Sequence, residues 1–386
     1  MKFSDVDRGA KRQATPGFRT MNNRPERRHR YVPGSINIFR VIVILAIACT
    51  ALGSGELVLA QAKKPDTSRD KAQDVTVVAR PILNFDRLNA SKTEFGKLEW
   101  IGGLVLSSSD NRFGGWSGIA IDPDGRRFIA VSDAGSWMTA DLDYARGRPQ
   151  KIVNARIGPL KAKSGGRLVR GRDRDAEAVA ILDGSVDRGR VVIAFEGNHR
   201  LGVFKTSKAG VAKPGYYIKI PSAARRMRIG KGFEAVAEIK AGPNRGALVA
   251  ISEGLPDKNR NHTGWIMSRG KAASFGYSDI GGFDPTDAVG LPNGDLIVLE
   301  RRFRWTEGVK MRLRRVPTGE LRSGRVVHGE VLMEANMGQD IDNMEALTAH
   351  RAADGSTILT LMSDDNFNTF LQRTILLQFR LRAVQT

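Results

Sequence analysis

The sequence predicts an all-β fold, a β-propeller with five repeats visible and five or six blades. Three observations carry this. An apolar motif recurs around positions 117, 177, 234, 287 and 345, at spacings of 60, 57, 53 and 58 residues. Each copy is followed by a turn-rich stretch and a β-branched run that ends in an acid, as in DPDG then FIAVSD. The 42 Gly and 15 Pro among 386 residues make turns frequent. Apolar run, turn and apolar run form an antiparallel hairpin, and about four short strands per repeating unit is propeller organisation. A pair of packed sheets would also supply many strands, but not one motif recurring at this spacing.

In chain order, residues 1–40 are basic, Val41–Leu52 is apolar, and small residues follow to Ala62. This reads as a signal peptide over 1–62, cleaved after Ala62. The apolar run is short of the about twenty residues that span a bilayer as a helix; an uncleaved N-terminal membrane segment is the alternative. Arg27-Arg28 permits a twin-arginine route, and Met21 is a second candidate start. The expected location is periplasmic or secreted, with membrane anchoring if the segment stays. The one cysteine, Cys49, falls inside it, which excludes a disulfide framework and a Cys-rich metal site in the mature chain. The segment holds 10 basic and 4 acidic residues, so the charge falls from +20 to +14 (51 minus 37).

Residues 63–95 read as a polar linker and an N-terminal strand region, in which Asp74–Phe85 offers material for a sixth blade. The propeller domain follows over 96–386. Leu98–Leu106 is a strand without a hairpin partner of its own, suited to complete the last blade and close the ring. First strands are predicted at Trp116–Ala120, Ala176–Ala180, Phe233–Ala237, Thr286–Gly290 and Met344–Thr348. Their partners are Phe128–Asp133, Val191–Glu196, Leu248–Glu253, Leu296–Glu300 and Ile358–Asp364. Third strands are expected at His199–Lys205, Lys310–Val316 and Thr374–Leu381, and a fourth at Tyr216–Ile220.

An acid that starts one strand and an acid that ends its antiparallel partner lie at the same end of a hairpin. The first strands of a propeller line its channel. Glu177, Glu234, Asp287 and Glu345 are therefore expected at one channel mouth, with Asp133, Glu196, Glu253, Glu300 and Asp364 around them and Ser117 as the odd member. Carboxylates at short range raise one another's pKa, and a hard divalent cation, Ca²⁺ most naturally, neutralises them through oxygen ligands. Those nine acids are the candidate metal ligands, with Asn198, Asn343 and Asn366 as further oxygen donors. Glu177 and Glu234 are candidate general bases, and Arg200, Arg301 and His199 candidate catalytic groups able to grip an anion or move a proton. For any one acid, an ion pair tying neighbouring blades together is an equal reading; recurrence in four or five blades favours function.

Other chemistry finds no support. The G-x-S-x-G elbow, H-E-x-x-H, Walker and dinucleotide motifs are absent, and the four His beyond residue 62 are not clustered. Basic residues are spread without recognition motif or aromatic interleaving, so no nucleic-acid partner is expected. The run Arg301-Arg302-Phe303-Arg304-Trp305 reads as a solvated face or a contact with anionic lipid or cell-wall polymer.

Phe113-Gly114-Gly115-Trp116-Ser117-Gly118-Ile119 followed by Ala130-Val131-Ser132-Asp133 resembles the opening of the phytase-like, "esterase-like activity of phytase" family of exported bacterial proteins. Asp175-Ala176-Glu177-Ala178, Gly232-Phe233-Glu234-Ala235, Asn343-Met344-Glu345-Ala346 and Ser363-Asp364-Asp365-Asn366-Phe367-Asn368 are similar to its later blocks, so the likeness covers roughly residues 96–381. It implies a β-propeller that hydrolyses esters or phosphoesters. It carries over no catalytic set residue by residue, and the R-H-G-x-R-x-P motif of another phytase type is absent. The expected function is an exported, monomeric, metal-dependent hydrolase of a small anionic or ester substrate. The alternative is a non-catalytic periplasmic binding or scaffold propeller with a structural metal or none.

Overall fold

Short β-branched runs cut by glycine turns cannot bury their apolar faces singly, and here they pair into five sheets set around a channel, antiparallel except where Val326–Val327 joins the outer edge of one of them in parallel. The computed structural model describes residues 70–382; the signal expected over 1–62 lies outside the described residues. From the channel outward, blade 1 holds Trp116–Ile121, Arg127–Ser132, Ser136–Ala145 and Arg148–Pro159. Blade 2 holds Ala176–Ser185, Arg188–Phe195, Arg200–Ser207 and Gly210–Ile218. Blade 3 holds Phe233–Glu238, Leu248–Pro256, His262–Ser268 and Lys271–Tyr277. Blade 4 holds Asp284–Gly290, Leu296–Arg304, Gly308–Val316 and Glu330–Asn336. Blade 5 holds Met344–Arg351, Thr357–Ser363, Thr374–Leu381 and Leu98–Ser107. Each innermost strand packs on the next, and that of blade 5 returns to that of blade 1.

The ring closes as the unpaired strand predicted. Leu98–Ser107 pairs antiparallel with Thr374–Leu381, from Thr374↔Leu106 to Leu381↔Leu98, so both ends of the domain share one blade. No sixth blade forms from the preceding residues. Val78–Ile82 adds to the outer edge of blade 5 and Gln73–Asp74 to that of blade 1, so the expected five or six blades resolve to five. Around the closing strand, Phe85 packs at 4.8 Å from Phe95, 5.3 Å from Trp100 and 4.9 Å from Phe379, between blades 4 and 5.

The E-A-V-A pattern of the repeats reflects the taper towards the axis, where only small side chains fit between strands. A Cβ on Gly118 would stand 2.8 Å from the Cα of Ala178 on the next blade. Each innermost strand also carries a β-bulge at its start. The register with the second strand skips one residue in every blade, at Ser117, Glu177, Glu234, Thr286 and Glu345. A bulge re-aims the extra side chain and steepens the local twist.

Blade 4 is therefore one residue out of step with its apparent sequence alignment. Its bulged residue is Thr286, not Asp287, and Asp287 pairs with Leu299 as Ala235 pairs with Ile251. Asp287 is fully buried, where its carboxylate accepts from the N–H of Ala288 (2.8 Å) and of Leu347 on blade 5 (2.7 Å). Glu300 pairs with Pro285, the place of Ser252 and Ser363 in blades 3 and 5. Also fully buried, it takes an ion pair from Arg314 at 2.5 Å, one from Arg312 at 3.4 Å and a hydrogen bond from the Tyr277 hydroxyl at 2.9 Å. Arg314 in turn donates to the Tyr277 oxygen, Ser278 and the His328 carbonyl, so this network ties blade 4 to blade 3. The expected placement of Asp287 and Glu300 at the channel mouth is thus corrected: the shifted bulge turns both into contacts between blades.

Removing one member of a buried ion pair leaves its partner charged and unsolvated, at a cost of about 3–5 kcal/mol. Glu300→Ala is expected to lower the unfolding free energy by that amount. Asp287→Ala, which orphans two buried N–H donors, should cost about 1–3 kcal/mol for each. Denaturant titration of the purified variants checks both.

Candidate metal centre

The bulge brings Glu177, Glu234 and Glu345 together at the end of the channel where the innermost strands begin, close enough that each acts on the titration of another. Beside it, towards the mouth end of each second strand, stand Asp133, Glu196, Glu253, Arg301 and Asp364 for blades 1 to 5. Blade 4 is again the exception, because the shifted register puts Arg301 where the others carry an acid. Two acids that the sequence reading missed complete the group. Asp175 and Asp284 stand two residues before the bulge, the position held by Gly115, Gly232 and Asn343 in the other blades. The strand alternation marks that position, since side chains two apart share a face.

Two clusters stand out. Oxygens of Asp175, Glu177 and Glu196 lie within 4.8 Å of one another, as do oxygens of Glu196, Glu234 and Glu253, with Glu196 common to both. Gly232 donates its N–H to Glu234 (3.0 Å) and to Glu196 (3.3 Å). A Cβ on Gly115, at φ +65°, would sit 2.3 Å from the Asp133 carboxylate, so only glycine allows that approach. Asn343 donates to Glu345 at 2.8 Å.

Burial and mutual repulsion push these acids up. Burial, then Glu234, Glu196 and Asp175, raises Glu177 well above the usual carboxylate range. Burial, then Glu196 and Glu253, does the same to Glu234. Asp133 rises to about 7, through burial and then Glu345 and Asp175. Glu196 also rises to about 7, chiefly through burial, and Asp284 to about 6 through burial and Glu253. Burial, Glu345 and Asp133 raise Asp364. Glu345 is raised by burial against the pull of Arg301, 3.5 Å away. The ion pairs recorded inside this group come from Arg301 and from Lys231, which bonds Glu253.

The donor set fits a hard cation. Ca²⁺ binds oxygens at about 2.3–2.6 Å, so two of its ligands stand at most about 5 Å apart, and the oxygens of each cluster lie within that limit. Of the residues singled out in the sequence, Glu177, Glu196, Glu234, Glu253, Glu345, Asp133, Asp364 and Arg301 stand at this mouth. Asp287 and Glu300 do not. Arg200 lies 3.8 Å over the Phe195 ring and donates to the carbonyls of Asn198 and Asp173, bracing the linker into blade 2. His199 holds the Met227 carbonyl at 3.3 Å and lies against Gly232, behind the acids. Asn198 is bonded to Asp173, and Asn366 offers Asp364 its backbone N–H.

Residues 111–367 match the family described as "Phytase-like: Esterase-like activity of phytase". No curated protein matches the chain. Among solved structures, one described as "Structure of Dos1 propeller" is 11% identical, with a TM-score of 0.33, covering 76% of this chain and 77% of that one.

A carboxyl raised in the folded state adds stability below its unfolded pKa, near 4, and loses it as pH climbs through the folded value. The raised acids at this mouth, Asp133 and Glu196 at about 7 and Asp284 at about 6, should make the metal-free protein melt lower at pH 8 than at pH 5. Ca²⁺ at about a hundred times its Kd adds about 2.7 kcal/mol, roughly 5 °C in a domain of this size. That rise should be larger at pH 8 than at pH 5, and Glu196→Gln, which removes the acid common to both clusters, should remove most of it. Thermal melts with Ca²⁺ and with a chelator read both effects.

Proposed function

The chain belongs to the phytase-like family, and on that premise we propose that it is an exported, metal-dependent hydrolase of phosphate or carboxylic esters, working at the carboxylate mouth of its channel. The observation that carries this reading is the pair of oxygen clusters, each three carboxylates within 4.8 Å, fused at Glu196. An ion-pair network has no use for such a surplus of acid, as Glu300 shows by being matched with two arginines.

A bound divalent cation supplies Lewis-acid polarisation of a phosphoryl or acyl oxygen. The protein's part is positional and protonic. One cluster, Glu196 with Asp175 and Glu177 or with Glu234 and Glu253, would hold the cation. The bulge glutamate of the other cluster, Glu234 or Glu177, raised by burial and neighbouring acids, would take the proton of the attacking water as general base. Arg301, which stands where the other blades carry an acid and whose side chain is 35% exposed, would meet an anionic oxygen and stabilise developing charge. It is held in place by Asn343 and Glu345.

The test is turnover of a chromogenic phosphate monoester and of a short-chain carboxylic ester, with Ca²⁺ and other divalent ions and with chelator. Activity should need the ion. Glu234→Gln should cut kcat at least about a hundredfold, and Arg301→Ala should raise KM most for the phosphate ester. A protein that turns over neither ester class with any ion is a binding or scaffold propeller.

A further inference from the structure

On the side of blades 2 and 3, the rim around the carboxylates carries a different chemistry. The linkers from blade 1 to blade 2 (160–174) and from blade 2 to blade 3 (219–232) emerge there, because each leads into an innermost strand. They carry six and five Lys or Arg, eleven in all, against one Asp. Arg170, Arg172, Arg174, Arg225, Arg226 and Arg228 are all exposed, and none forms an ion pair among the described residues. Apolar side chains stand among them: Val169 and Ile229 are exposed, each flanked by arginine.

The turns between second and third strands open at the same end, and in blades 4 and 5 they too carry apolar tips. In blade 4, Trp305 is 79% exposed and packs edge-on to Phe303 at 5.4 Å. Glu307 braces this tip by ion pairs to Arg302 at 2.6 Å and Arg304 at 3.0 Å. In blade 5, Phe370 is 93% exposed beside an exposed Leu371. The other tryptophans, Trp100, Trp116, Trp137 and Trp265, are at most 4% exposed.

We propose that this end of the propeller docks on an anionic lipid bilayer, Trp305, Phe370 and Ile229 entering the headgroup layer while the linker arginines pair with lipid phosphates. Amphipathic aromatic rings favour that layer, and clustered Lys and Arg favour an anionic leaflet. A soluble polyanion would satisfy the cations and leave the apolar tips without a role. A protein partner would ask for one contiguous apolar patch, whereas these tips sit on separate loops, each beside cations. Docking sets the channel mouth against the lipid headgroups. The ester it meets is then that of a phospholipid, and this last step alone rests on the hydrolase reading.

Trp305 makes the test direct. It is the exposed one of five tryptophans, and residues 1–69 contain none, so its emission follows this face whatever the N-terminal segment does. The full chain is mixed with vesicles of phosphatidylcholine alone, or of phosphatidylcholine with phosphatidylglycerol, with and without brominated lipid. A blue shift and quenching confined to the anionic vesicles, and weakened by salt, are expected. Phe370→Ser with Ile229→Ser should reduce partitioning about tenfold, as should Arg225→Glu with Arg226→Glu. Unchanged Trp305 emission on anionic vesicles overturns the proposal, even if the chain sediments with them through its N-terminal segment. So does binding to inorganic polyphosphate that displaces the vesicles while the apolar substitutions have no effect. These readouts need no turnover, so failure of docking and failure of hydrolysis remain distinct results.

Discussion

One irregularity in the backbone governs the molecule. A regular antiparallel hairpin sends alternate side chains to opposite faces, so a channel-lining strand ordinarily offers the axis one residue in two. The bulge at the start of each innermost strand breaks that alternation at one place and turns an extra side chain towards the mouth. In blades 2, 3 and 5 that side chain is a glutamate, in blade 1 it is Ser117, and in blade 4 it is Thr286. The acids converge because five sheets repeat one local defect around an axis.

The same defect separates acids that hold blades together from acids that gather at the mouth. Glu300 and Glu234 are both withdrawn from water, but their surroundings answer the charge differently. Glu300 meets Arg312, Arg314 and Tyr277 within hydrogen-bonding reach, a satisfied buried network of the kind that fixes one arrangement of neighbours. Glu234 meets Glu196 and Glu253, and like charges at that range make its ionised form costly. A chain that spends stability on repulsion at one place, and avoids it at the next blade with two arginines, marks the first place as different in kind.

Most of the fold was legible from the sequence. The hairpins, the strand Leu98–Ser107 that closes blade 5, and the grouping of Glu177, Glu196, Glu234, Glu253, Glu345, Asp133 and Asp364 all follow from periodicity and antiparallel geometry. Blade 4 was not legible. Thr286-Asp287-Ala288-Val289 aligns with Phe233-Glu234-Ala235-Val236 by acid and apolar character, and nothing in those letters says that the bulge falls on Thr286. Register depends on what the partner strand packs against, and there Glu300 follows Arg312 and Arg314 into the interior. Asp175 and Asp284 were missed for a related reason, since they precede the apolar motif and read as turn residues. The sixth blade failed because Val78–Ile82 finds a free edge on Leu98–Ser107, and adding a strand to an existing edge satisfies its backbone without a new core.

The slip in blade 4 also decides how charge is arranged across the face. The linkers into blades 2 and 3 are cationic and the mouth beside them is anionic, so an anion drawn by those linkers is repelled at the centre unless the carboxylates are neutralised. A divalent cation would reverse the sign only where its ligands are, on blades 2 and 3. Blade 4 breaks the ring of acid with Arg301, anchored on Asn343 and Glu345. An anionic group could then lie between a neutralised cluster on one side and a fixed guanidinium on the other, with fork geometry that suits phosphate and carboxylate alike. Had the bulge stayed in step, Asp287 and Glu300 would have brought two more acids to the mouth in blade 4, where Arg301 now stands.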